Sequence, residues 1–456
     1  GGGAVRTVRG GTGSGDPFNG GLSGGGDVNV NQSERYNINI YNSFKKAGYD
    51  ITTASILEKY AEGYDVENAK AASNPMATFA YPELTFTDEE LAASAKDTNT
   101  AVYVISRNAG EGADRGMTKK VTVNEVEYEL GDYELSDVEK ENLKKVASTF
   151  ENTIVVLNVG GVIDTKFFEE TEGLDSLLLM GQGGQEGGNG VADVLMGRVN
   201  PCGKLTDTIA ENIEDYPSQS CFGDLTRNEY KEDIYVGYRY FETFAKEKVL
   251  YPFGFGLSYT TFAVTAEAEE KDVDNVTVTA TVENTGKTDG KEVVQVYVKA
   301  PQGVLGKPSR ALVGFAKTGV LAPGAKETLT IDVTKESFAS YDDSGATGHK
   351  SCYVLEEGSY EFYVGSDVRS AAFAGAYEQP FKVVEILTEA MAPVEAFERM
   401  KAVPGEDGTL KPGYEAAPLR TVDPIERMKE NRMEPITYTG DKGYKLGDVL
   451  DKKVTM

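Results

Sequence analysis

Tryptophan is absent from this 456-residue chain, histidine occurs once and cysteine three times. One histidine rules out a His-rich metal site, and a Ser-His-Asp triad would have to be built on His349. That residue sits in Ser344-Gly345-Ala346-Thr347-Gly348-His349-Lys350, a Gly- and Ser-rich stretch that reads as a solvated loop tip. Cys202, Cys221 and Cys352 are too few and too scattered for a disulfide framework, and no Cys-x-x-Cys pair occurs. One bridge stays open, but a reducing compartment fits better, so a cytoplasmic location is expected. Basic residues are in deficit, 46 Lys and Arg against 73 Asp and Glu, for a net charge of −27. A surface this acidic repels phosphate backbones and anionic bilayers, so neither nucleic acid nor membrane is expected as a partner. No apolar run approaches the roughly 20 residues of a spanning helix, and no basic segment followed by an apolar one opens the chain. Both ends read as cut. Gly1-Gly2-Gly3 begins in mid-loop, and Val454-Thr455-Met456 stops where Thr455 could cap a helix.

The length allows two to four domains. From about residue 40 to 255, short apolar runs alternate with amphipathic segments, the pattern of helices covering a mostly parallel sheet. Expected strands are Ala101 to Ser106, Thr153 to Val159 and Leu174 to Met180, each apolar enough to be buried on both faces. Ser136-Asp137-Val138-Glu139 is a capping box ahead of Leu143, Val146 and Ala147 on one helical face. Asn189 to Gly197 reads as a helix closed by a Gly cap. From about 258 to 377 the period changes to two, with Val276, Val278, Ala280 and Val282 alternating with polar residues. Turn signals at Asn284-Thr285-Gly286, Pro323-Gly324 and Glu357-Gly358 then argue for an antiparallel β-sandwich. From 378 onward the chain is rich in Pro, Glu, Lys and Met, with turn pairs at Pro404-Gly405, Asp407-Gly408 and Pro412-Gly413, and reads as an extended connector. Glu-Arg-Met-Lys occurs at 398 to 401 and again at 426 to 429, which chance or two similar helix turns explain.

Chemistry is expected where the first strand runs into Arg107-Asn108-Ala109-Gly110-Glu111-Gly112-Ala113-Asp114-Arg115, because ligands gather at the carboxyl ends of strands in open α/β sheets. Glu111 stands between two glycines, which bring its carboxylate forward with no neighbouring side chain in the way. Such a group serves as general acid or base according to its burial. The competing interpretation is a charged surface loop in which Asp114 and Arg115 merely pair. Arg9-Gly10-Gly11-Thr12-Gly13-Ser14-Gly15-Asp16 lacks the Gly-Lys-Ser/Thr of a phosphate loop. Gly181 to Gly190 is better placed for an anion at a helix N-terminus, but Glu186 would repel a phosphate, and a close turn that lets the helix pack on the sheet is favoured.

Taken together, several of these stretches resemble the family 3 glycoside hydrolases of the β-glucosidase type. They are Gly10 to Asp16, Val104 to Arg115, Gln185-Glu186-Gly187 through Asn200-Pro201-Cys202-Gly203-Lys204-Leu205, Asp233 to Phe241 and Tyr251 to Phe262. The resemblance implies an α/β sandwich domain over 1–257, with a mostly parallel sheet and helices on both faces. An all-β fibronectin type III-like sandwich over 258–377 follows, and 378–456 is left as the extended connector. It also implies that Glu111, in Gly-Glu-Gly-x-Asp-Arg, is the general acid/base and that Ser14 reaches the sugar in the first subsite. The implied chemistry is retaining hydrolysis of a β-glucoside or oligosaccharide, without metal or cofactor.

The family's nucleophilic Asp lies in a (β/α)8 barrel, within a Ser-Asp-Trp motif that this sequence lacks. Some members invert the domain order, and residues 430 to 456 look like the approach to a barrel beyond Met456. A barrel domain or polypeptide carrying the nucleophile is therefore the expected partner, and a homo-oligomer stays open. Pro17 to Gly26 is an insertion beside Ser14, and Asn108-Ala109 departs from the Ser common before the Gly. Both leave the sugar open between glucose, xylose and other β-linked residues. The alternatives are a noncatalytic scaffold or carbohydrate-binding fragment, and a nucleotide-dependent α/β enzyme resting only on Gly-rich loops.

Overall fold

A computed structural model describes residues 1–8, 36–71, 80–107, 115–389, 392–423 and 425. The first unit opens with helices α1 (Ile40–Lys46), α2 (Ala54–Ala71) and α3 (Asp88–Ser94). Strand β1 (Thr100–Arg107) is followed by a hairpin of β2 (Thr118–Val123) and β3 (Val126–Gly131). Next come α4 (Asp137–Thr149), β4 (Asn152–Val159), α5 (Lys166–Glu170), β5 (Ser176–Leu179) and α6 (Gly187–Leu195). Strands β1, β4 and β5 form a parallel sheet in that order, with Val104 opposite Val156 and Ile105 opposite Leu157.

Strands β1 and β4 read as unbroken apolar runs because both of their faces are covered, whereas β5, at the sheet edge, is not the doubly buried strand expected: none of its residues is fully buried and Leu179 is 42% exposed. Tyr103, Ile105, Val155 and Leu157 pack against Leu91 of α3 and Leu143 and Val146 of α4. Val104 and Val156 point the other way, onto Ile40 of α1 and Val191 of α6. The doubly covered sheet is therefore present, and its strands lie within two residues of the expected ones. Ser136 caps α4 as the sequence requires: its hydroxyl accepts from the Glu139 N–H, while the Glu139 carboxylate accepts from the Ser136 N–H.

After β6 (Ile209–Ala210), α7 (Tyr238–Phe244) and β7 (Val249–Tyr251), the chain becomes all-β, with β8 (Phe262–Glu270), β9 (Asn275–Asn284), β10 (Val293–Lys299), β11 (Ala311–Lys317) and β12 (Lys326–Thr334). Then follow β13 (Ser340–Asp342), β14 (Cys352–Leu355), β15 (Gly358–Gly365), β16 (Ala372–Gln379) and β17 (Lys382–Ile386). The sheet β11-β10-β15-β16 faces β12-β9-β8, and β13-β14-β17 makes a third, smaller sheet. The period-two residues Val276, Val278, Ala280 and Val282 all enter one core with Val294, Val296, Tyr360 and Phe362. His349 is exposed and stacks on Phe381, and the three cysteines are free.

The segment expected to be an extended connector carries more structure than its composition indicated. It holds a hairpin of β18 (Glu398–Pro404) and β19 (Leu410–Ala416), with Met400 opposite Tyr414 and Ala402 opposite Pro412. Pro404-Gly405 and Asp407-Gly408 do not break the chain but close this hairpin, through Gly405 N–H to the Thr409 carbonyl at 2.7 Å. Pro412 is tolerated because a two-stranded ribbon is all edge. Glu398 to Lys401 is thus strand and not a helix turn, and 426 to 429 lies outside the described residues. The hairpin docks on the first unit: Met400 N–H donates to the Lys231 carbonyl at 2.7 Å and Ala402 N–H to the Tyr235 hydroxyl at 2.8 Å.

Candidate active site

Glu111 and Ser14 both fall outside the described residues, as do the insertion at 17 to 26 and Asn108-Ala109. What the structure defines is the frame from which their segments leave. That frame is the carboxyl edge of the β1-β4-β5 sheet.

The last residue of β1, Arg107, is buried and forms a bidentate pair with Glu139, Nη1 to Oε1 at 2.7 Å and Nη2 to Oε2 at 2.9 Å. One carboxylate therefore caps α4 and also neutralises the guanidinium at the start of the Glu111 segment. Gly131 permits this approach, since a Cβ there would lie 2.5 Å from Arg107 Nη2. Arg107 Nε donates to the Asp132 carbonyl at 2.8 Å.

Arg115, at the far end of the same segment, reaches that carbonyl too, through Nη2 at 2.7 Å. Its Nε meets the Asp132 carboxylate at 2.7 Å and its Nη1 the Val162 carbonyl at 2.9 Å. Asp132 also accepts from the Gly116 N–H at 2.8 Å. Arg115 thus has a well-defined anchor in Asp132, while Asp114, its partner in the competing interpretation, lies outside the described residues. The β2–β3 hairpin makes this geometry, because it returns the chain to Asp132 directly beside Arg115.

The second tie is Asn158, on β4, fully buried. Its Oδ1 accepts from the Val8 N–H at 2.6 Å and the Ser106 hydroxyl at 3.0 Å. Its Nδ2 donates to the Val8 carbonyl at 2.8 Å and the Gly181 carbonyl at 2.9 Å. Three chain segments that leave this edge, after Val8, Ser106 and Gly181, therefore meet on one amide. Sequence reasoning missed it. The signal was the amide inside Ile154-Val155-Val156-Leu157-Asn158-Val159, a group with four hydrogen-bonding positions in a doubly covered strand.

In the Gly181 to Gly190 stretch, Gly181 and Gly184 take positive φ, 62° and 71°, and packing explains Gly188. A Cβ on Gly188 would lie 2.4 Å from the Ile38 carbonyl oxygen, so α6 approaches the segment before α1 at backbone distance. Glu186 occupies the N-cap of α6, where a phosphate would have to sit. The Tyr36 hydroxyl, at 2.6 Å, and the Asn189 amide, at 2.5 Å, hold its carboxyl below the ordinary value. A nucleotide site at this helix end is disfavoured. Beside it, Gln182 keeps its Nε2 buried and without a hydrogen-bond partner, packed close against Gly160. Among the described residues, no group of three or more His, Cys, Asp or Glu is arranged to hold a metal ion.

Comparison with known proteins adds to this geometry. Residues 1–259 match the profile of the Glycosyl hydrolase family 3 C-terminal domain, and 292–368 that of the fibronectin type III-like domain. The chain is 46% identical over 375 residues to a beta-glucosidase of Ruminococcus albus, covering 82% of this chain and 38% of that protein. Its structure is similar to that of a beta-glucosidase from Paenibacillus barengoltzii, with a TM-score of 0.85 and 40% identity over 98% of this chain and 48% of that one. It is also similar to beta-glucosidase 3B from Thermotoga neapolitana in complex with glucose, with a TM-score of 0.69 and 36% identity over 83% and 49%. The chain thus spans about half or less of each relative's length.

Proposed function

Because this chain belongs to glycoside hydrolase family 3, we propose that it supplies one half of the active site of an enzyme hydrolysing terminal non-reducing β-D-glucosyl residues with retention. Glu111 protonates the departing glycosidic oxygen while a carboxylate about 5 Å away attacks the anomeric carbon, giving a glycosyl-enzyme. Glu111, now ionised, then takes a proton from the water that releases the sugar. Ser14 contacts the sugar in the first subsite. The nucleophilic Asp belongs to a (β/α)8 barrel domain or polypeptide outside this chain. The beta-glucosidase relatives support the sugar. The observation that carries the reading is the stretch Gly110-Glu111-Gly112-Ala113-Asp114-Arg115, which leaves the carboxyl end of β1 with both flanking arginines fixed on the Asp132 carbonyl.

The test is Glu111→Ala in the enzyme completed with its barrel half. An alkyl β-glucoside depends on leaving-group protonation, so its hydrolysis should fall by about 10²- to 10⁴-fold. An aryl β-glucoside with a good leaving group should lose less in the bond-breaking step. Azide, a small anion that needs no general base, should restore turnover with retained configuration. Unchanged alkyl glucoside hydrolysis would show that Glu111 is not the acid.

A further inference from the structure

The amide of Asn158 uses its whole hydrogen-bonding capacity, two donations and two acceptances, on Val8, Ser106 and Gly181. Val8 lies six residues before Ser14, and Ser106 five residues before Glu111. The segment that brings the sugar contact and the segment that brings the acid/base therefore depart from the same fully buried side chain. We propose that Asn158 is a positioning residue that fixes these two departures relative to one another, and so sets where Glu111 stands against the glycosidic oxygen of a sugar held through Ser14. This rests on the acid/base reading above.

The chemistry of the site restricts it to asparagine. An Asp would place a carboxylate against the Val8 and Gly181 carbonyls with no proton to share. An apolar residue would strand the Val8 N–H and both carbonyls. A fully satisfied buried network of this kind is rigid, which is what holding the two departures in register requires. The parallel ladder itself runs on with Ser106 opposite Asn158 and Arg107 opposite Val159, while the Asn158 side chain bonds mostly outside it.

A buried asparagine is also an ordinary structural device, so the test needs a matched control, which the sandwich provides. Asn284 is equally buried and makes four side-chain hydrogen bonds, from the Thr260 hydroxyl and Gly286 N–H and to the Thr288 and Leu321 carbonyls. In the barrel-completed enzyme, Asn158→Ser and Asn284→Ser should lower Tm to a similar extent. Assayed well below either Tm, only Asn158→Ser should lower kcat for an alkyl β-glucoside by about tenfold or more, since small misplacements of reacting groups carry penalties of that order. Its loss on an aryl β-glucoside should be smaller, and KM should rise as the sugar contact shifts.

Ser106→Ala removes only one of the four bonds and should move the same ratio of alkyl to aryl kcat in the same direction, more weakly. It carries the test if Asn158→Ser fails to fold. A ratio unchanged from wild type in the folded variants, or a change reproduced by Asn284→Ser, would overturn the proposal. If Glu111→Ala itself fails to discriminate the two leaving groups, the acid/base reading falls. If Glu111→Ala discriminates and the Asn158 and Ser106 variants do not, only the present inference falls.

Discussion

A single carboxylate, Glu139, performs two tasks at the edge of the site, closing the N-terminus of α4 and pairing with Arg107. Both partners are nearly inaccessible, with side chains 7% and 5% exposed. Arg107→Met should therefore cost about 3–5 kcal/mol, because it leaves a buried carboxylate without its cation. Arg107→Met combined with Glu139→Gln should cost less than Arg107→Met alone, since no bare charge then remains. Denaturant unfolding of both variants measures this, and a double variant worse than the single would mean that the helix cap outweighs the ion pair. At this scale the sequence was partly legible. The capping box could be read from four letters, because all of its partners lie within one turn. The anchoring of Arg115 on Asp132 could not, because 16 intervening residues bring the two together only after a hairpin forms. Asn158 went unread although it is an amide in an apolar strand, because its partners come from three distant segments.

Elements with strong periodicity were read well, and the two ribbons were not. Strands β1 and β4 are apolar runs bounded by polar residues, and β9 alternates without fault, so length and period sufficed. The β2–β3 hairpin turns at Asn124 and Glu125, which both have positive φ, 49° and 66°. Type I′ turns normally announce themselves by Asn-Gly, and glutamate at the second position hides the signal. In the β18–β19 ribbon the reverse occurred, since abundant turn pairs concealed strands only seven residues long. Beyond that ribbon, the chain is tied back by Glu389. Its carboxylate takes the Lys350 ammonium at 2.9 Å, the Thr421 N–H at 2.7 Å and the Thr421 hydroxyl at 2.8 Å. The Lys350 ammonium and then these Thr421 donors lower its pKa from 4.5 to about 2. A carboxyl with a depressed folded-state pKa stabilises above its ordinary pKa and loses that contribution as pH falls. The tether should hold at neutral pH and release between about pH 4.5 and 2. Hydrogen exchange of a peptide spanning 417–423 should show protection lost over that window, and Glu389→Gln should lose it already at pH 7. Protection that persists at pH 2 would mean that packing, not the carboxylate, holds the segment.

The whole molecule behaves as more than two domains in series, because the residues joining them are buried and share partners. Tyr238 of α7 stacks on Phe253 at 4.5 Å and meets Tyr297 of β10 edge-on at 6.1 Å. Lys204 pairs with Glu292 at 2.9 Å with little exposure of either. At the centre is Gln295, which donates to the Gly254 carbonyl at 3.3 Å and the Ser366 carbonyl at 2.6 Å while accepting from the Tyr297 hydroxyl at 2.5 Å. One side chain thus links the last loop of the α/β unit to β10 and to the bend that follows β15. Wild-type chain should melt in a single calorimetric transition. Gln295→Leu keeps the volume nearly constant but strands one hydroxyl and two carbonyls, each costing about 1–3 kcal/mol when buried without a partner. Because that cost falls on the junction, the transition should broaden or split, with the two units unfolding at separate temperatures. If Gln295→Leu shifts the melting temperature but leaves one sharp transition, the aromatic contacts at Tyr238 suffice to couple the units. Tyr238→Ala would then be the substitution that separates them.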